Sequence, residues 1–147
     1  MHSPAIPSVL LTYIDGLKAH DVRKIADTVS DDLAFVSATR TLNKAEFLRM
    51  LGALYTGFPD WHYDHDAPEW QRDLLAVKWR QGGTHEGVFA MPGMDPVAPT
   101  GRKVRIPEHY FFYRVAAERI VMIRPEVVAG GAPRGILEQI GVPLPPL

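Results

Sequence analysis

The chain has 147 residues, with 16 basic against 17 acidic side chains, a formal net charge of −1 and no cysteine. That length suits one domain with a sizeable core, and the charge balance leaves no electrostatic footprint for nucleic acid. The missing cysteine excludes disulfides, thiol nucleophiles and zinc–thiolate centres.

The N-terminal stretch lacks the basic region and long apolar core of a signal peptide. No apolar run approaches the ~20 residues that span a bilayer. These features point to a cytoplasmic protein without a membrane partner.

In chain order, Ser8 is placed to cap a first helix whose Leu10, Tyr13, Ile14 and Leu17 form one apolar stripe. His20-Asp21 breaks it, and Asp21 caps a short second helix with the stripe Val22, Ile25, Ala26 and Val29. Asp31-Asp32 reads as a turn before a β run over 33–36. Asn43 and Glu46 make a capping-box pair that opens a third helix, with Phe47, Met50, Leu51 and Leu54 on its buried face.

After a stop at Gly57-Phe58-Pro59-Asp60 the period changes to two: Trp61, Tyr63 and His65 share one face, and His62, Asp64 and Asp66 the other. Residues 74–81 form the next strand, with Val77 and Trp79 opposed to Lys78 and Arg80. Residues 84–89 continue or pair with it. An irregular loop over 91–102 leads to a long aromatic strand over 104–115, a turn over 116–119 and a partner strand over 120–128 interrupted at Pro125. A last short helix over 134–140 ends at Gly141.

Helices followed by a mostly antiparallel meander belong to the α+β class. The expected architecture is a cone-shaped, curved mixed or antiparallel sheet with three N-terminal helices enclosing an apolar pocket. The whole chain, 1–147, reads as one domain with its core over about 8–143 and tails at 1–7 and 143–147.

With these elements placed, the chain resembles the SnoaL-like polyketide cyclases of the nuclear transport factor 2-like superfamily. The residues that carry the likeness are Tyr13, His20-Asp21-Val22, Gly83-Thr84-His85-Glu86-Gly87, Pro99-Thr100-Gly101-Arg102 and the closing run 136–141. The resemblance implies a homodimer formed through the outer sheet face and a cofactor-free intramolecular aldol ring closure. A carboxylic acid on the last strand would act beside a polar pair on the preceding one. Here the acid's position falls on Pro125, with Glu126 one residue later, and the polar pair on His109 and Phe111.

One residue in a regular strand means the opposite face, although a bulge at Pro125 could re-aim Glu126 inward. His109 and Glu126 are therefore the catalytic candidates. An imidazole or carboxyl held uncharged in an apolar pocket suits acid–base work near neutral pH. Each has a plainer alternative, as a core histidine bonded to a backbone carbonyl and as a surface glutamate beside Arg124. Tyr13, Trp61, Trp79, His85 and Phe111 complete the expected pocket lining, with His85 alternatively holding the loop over 99–102.

His62, Asp64, His65 and Asp66 have the chemistry of metal ligands, but alternation turns His65 away from His62 and Asp64. No metal site and no cofactor is expected. The expected partner is a hydrophobic small molecule, transformed by enolate-type chemistry or, alternatively, bound without catalysis.

Overall fold

The computed structural model describes residues 4–143. The first three residues and the end of the proline-rich tail, 144–147, lie outside them.

Helix α1 spans Ser8–Lys18 and buries Leu10, Tyr13, Ile14 and Leu17, the whole predicted stripe. Pro7, not Ser8, stands at its N-cap, and no side chain caps the helix. Asp21 does cap α2 (Val22–Thr28), its carboxylate accepting from the Lys24 N–H at 3.0 Å. Val29 leaves this helix and opens strand β1 (Val29–Val36), so Asp31 and Asp32 lie within a strand and not in a turn. A register shift between Val29 and Ala34 lets both aspartates face water while Val29 and Leu33 stay buried.

A two-residue β2 (Thr41–Leu42) precedes α3 (Lys44–Gly57). The reciprocal Asn43–Glu46 capping box starts α3, satisfying two backbone donors that would otherwise be orphaned. Then come β3 (His62–His65), β4 (Glu69–Gln71), β5 (Leu74–Thr84), β6 (Lys103–Ala116), β7 (Arg119–Pro125) and α4 (Arg134–Gln139).

Among the described residues seven strands form one curved mixed sheet in the order β2-β1-β7-β6-β5-β3, with β4 also on β5. Only β1 and β7 pair in parallel. The short strands β2 and β4 were not foreseen. Residues 85–89 add no strand, and β7 stops at Pro125, short of the predicted 128, where the ladder loses a donor.

The stripes of α1 and α3 pack over the concave face against Leu75, Val77, Trp79, Tyr113, Ile120 and Ile123. A second cluster, around Phe58, Phe89, Val104, Ile106, Ile136 and Ile140, closes the other end. There the Gln139 side chain accepts from the Arg105 N–H at 2.9 Å and donates to its carbonyl at 2.8 Å, fastening α4 to β6.

Strand β6 carries one irregularity that positions the site. Trp79 pairs with His109 and Gln81 with Ile106, so Pro107 and Glu108 together oppose Arg80. The extra residue is a bulge, and a proline is tolerated there because it has no ladder N–H to lose. Among the described residues no helix is long and apolar enough to cross a membrane.

Candidate functional site

Between the helices and the concave face lies a mainly apolar cavity of about 470 Å³. That volume falls within the range of small-molecule sites. Tyr13 and Leu17 enter from α1, Met50, Leu51 and Leu54 from α3, Trp79 and Gln81 from β5, and His109, Phe111 and Tyr113 from β6. The segment 125–134, leading into α4, covers one side.

His109 is almost wholly buried, and its ring packs 5.1 Å from that of Phe111. Its Nδ1 lies 2.7 Å from the carbonyl of Pro107, the bulge residue. A carbonyl only accepts, so Nδ1 carries the hydrogen and donates. In the neutral ring Nε2 then holds the lone pair, with no protein partner among the described residues, on the wall of the cavity. The backbone carbonyl named as the plainer alternative is present, and the same bond sets the tautomer a base requires.

Four tyrosines gather at the α1–β3 side. The Tyr55 and Tyr63 hydroxyls are 2.7 Å apart, the Trp79 indole N–H donates to the Tyr113 hydroxyl at 2.9 Å, and the Tyr13 ring meets that of Tyr113 edge-on at 5.7 Å. Burial pushes all four phenols up: Tyr55 to about 12, and Tyr13, Tyr63 and Tyr113 well above the ordinary value. Their oxygens therefore remain protonated at neutral pH. Trp61 completes this wall, its indole N–H donating to the Gln81 side-chain oxygen at 3.2 Å.

Glu126 stands at the rim, exposed, and its carboxylate accepts from the Tyr110 N–H at 3.1 Å. Arg124, its expected neighbour, lies over the Phe112 ring instead, 5.3 Å from the centroid. Pro125 faces the cavity as the cross-strand partner of Phe111.

His85 does not line the cavity. Strand β5 ends one residue before it, and the chain turns so that its Nδ1 accepts from the Thr100 N–H at 3.2 Å and lies 2.9 Å from the Thr100 hydroxyl. The His85 backbone is clamped to the same loop by Arg102 and Gly101. His85 thus holds the 99–102 loop from inside the second core cluster, stacked on Phe58.

The acidic pair near His62 is also committed elsewhere. Asp64 and Asp66 each bond Arg80 at 3.0 Å, and Glu108 joins them at 2.9 Å on the outer face. Among the cavity's polar groups, Gln81, Tyr63 and Tyr113 were missed as site residues, although they continue the inward rows of Trp79, Trp61 and Phe111 at period two.

A sequence profile of the SnoaL-like polyketide cyclase family matches residues 8–125. No curated protein matches the chain by sequence at a significant level. Among solved structures, the chain is similar to AclR, a candidate hydroxylase from Streptomyces galilaeus, at 20% identity and a TM-score of 0.73 over 95% of this chain and 83% of that one. A candidate SnoaL-like polyketide cyclase from Jannaschia sp. CCS1 aligns with a TM-score of 0.71 at 14% identity, over 98% of this chain and 99% of that one. TerC, co-crystallised with polyporic acid, aligns with a TM-score of 0.64 at 12% identity, over 90% of this chain and 95% of that one. At these identities the likeness concerns the fold.

Proposed function

The chain belongs to the SnoaL-like polyketide cyclase family, and from that premise we propose that it closes rings in hydrophobic carbonyl compounds by acid–base catalysis, with His109 as the base. The observation that carries this reading is the His109 ring, buried at the wall of an apolar cavity and held by Pro107 with Nε2 bare. Nε2 takes a proton from a carbon next to a ketone, and the electron pair moves onto the ketone oxygen as an enolate. The enolate carbon then bonds to a second carbonyl carbon of the same molecule, whose oxygen recovers the proton from the imidazolium. Nothing enters or leaves, and no cofactor is called on.

Glu126 enters this scheme only at the rim, where it is exposed and one of its carboxylate oxygens accepts from the Tyr110 N–H. The co-crystallisation of TerC with polyporic acid supports a small-molecule ligand in this fold. Homodimerisation through the outer sheet face belongs to the same reading. It is supported there by the stacked, half-buried rings of Tyr110 and Phe112 and is checked by sedimentation.

A second reading, binding without catalysis, is favoured by one observation: Pro125 faces the cavity where the family resemblance calls for a carboxylic acid. Deuterium exchange separates the two. In heavy water, 1-tetralone should exchange its α-protons faster with the protein than without it, and His109→Phe should lower that rate about 10²-fold or more. Tetralone that binds without exchanging, or exchanges equally in the variant, removes His109 as the base.

A further inference from the structure

The tyrosines on the α1–β3 side of the cavity keep phenolic protons that no acceptor among the described residues takes. Indole nitrogen can only donate, so the Tyr113 oxygen receives from Trp79 and its own proton remains to be given. Tyr13 makes no hydrogen bond among the described residues, and its hydroxyl is not sealed off from the cavity it lines. The Tyr55–Tyr63 contact consumes one proton of two. Three phenolic O–H groups are thus uncommitted in a buried place.

No protein acceptor among the described residues receives from Tyr13 or Tyr113. The Gln81 oxygen receives from Trp61. His109 is four residues from Tyr113 on the same face of β6, which places their backbones about 13 Å apart. A carbonyl or phenolate oxygen, which accepts without donating, is the group that completes such a cluster.

We propose that Tyr13 and Tyr113, with the Tyr55–Tyr63 pair behind them, form an anchoring subsite for an acceptor oxygen at the leading end of an elongated ring ligand, whose trailing end lies beside His109. This inference rests on the cavity being the ligand site, as in the reading above, but not on His109 acting as a base. Burial keeps these phenols protonated and hence able to donate. The subsite selects length as well as polarity, because a one-ring ketone cannot reach both the tyrosines and His109.

The test compares 2-acetylnaphthalene with 2-ethylnaphthalene, which lacks only the carbonyl oxygen. The wild-type protein should bind the ketone about tenfold or more tightly, and the infrared carbonyl band of the bound ketone should move to lower frequency. Tyr13→Phe breaks no hydrogen bond of the protein, so its fold should survive. It should bring the two affinities closer and return the band toward its position in an apolar solvent, and Tyr113→Phe should do the same.

Equal affinities, an unshifted band in wild type, a band that ignores both variants, or no binding of the ketone would each overturn the subsite. A shifted band in a protein that exchanges no α-protons would keep the anchor and remove the base. Exchange without a band shift would do the reverse.

Discussion

Trp79 and Tyr113, on adjacent strands and both nearly inaccessible to water, are joined by an indole N–H to phenol oxygen bond of 2.9 Å. The bond runs diagonally from the middle of β5 to the C-terminal end of β6, on the wall of the cavity. Trp79→Phe is expected to cost about 2–4 kcal/mol, from lost volume and from a buried oxygen left without its donor. Tyr113→Phe should cost about 1 kcal/mol. A double-mutant cycle by urea denaturation should return a coupling of about 0.5–1.5 kcal/mol. Additive effects would show that the bond contributes nothing net.

The four buried phenols make stability fall in alkali. In the unfolded chain each loses its proton near pH 10, whereas in the folded protein Tyr55 holds its own to about 12 and the other three are also pushed up. Below about pH 10 both states are protonated and the difference is absent. Above it the unfolded chain binds fewer protons, so stability declines by about 1.4 kcal/mol per pH unit for each such phenol. Denaturation midpoints measured across that range should drop steeply, with the phenolate absorbance of these tyrosines rising only as the fold is lost. Phenolate signal from all of them in an intact protein would contradict their burial.

Asn43 and Glu46 exchange side-chain bonds with each other's backbone N–H at 2.9 and 3.0 Å. Asn43→Ala should therefore cost about 1 kcal/mol, and Glu46→Ala on that background should cost less than it does alone. Calorimetry of the three variants checks both statements, and full additivity would dissolve the reciprocal cap.

The β6–β7 connection is two residues, Ala117 and Glu118, with φ of 50° and 61°. Both occupy left-handed backbone suited to Asn-Gly. Replacing the pair by Ala117→Asn with Glu118→Gly should raise stability by about 1–2 kcal/mol, read as a later denaturant midpoint at constant slope. An unchanged midpoint would mean that the turn carries no strain.

The helical stripes, the caps at Asp21 and Asn43 and the long aromatic strand were legible, because each depends on residues close in sequence. Strands β2 and β4 were not, being only two and three residues long and meaningful only as partners of neighbours already in place. His85 shows where local reading ends. Its glycine-flanked setting marks a special backbone but does not say which way the ring turns, and Thr100, 15 residues away, decides that. The fate of Glu126 likewise depends on the Tyr110 N–H across the sheet. Gln81, Tyr63 and Tyr113 were present in the alternation but passed over, since a pattern reveals the inward row without revealing where the sheet stands clear of the helices.

The bulge opposite Arg80 also decides which residues of β6 face the cavity. Up to it the even-numbered Val104 and Ile106 are buried, and beyond it the odd-numbered His109 and Tyr113 are. Loss of the single codon for Pro107 would remove the extra residue and the bulge together, so His109 would still stand opposite Trp79 on the inner side. What would go is the carbonyl that receives from Nδ1. The imidazole would keep its place and lose its bearing, so the spare residue serves the ring's orientation more than the strand's.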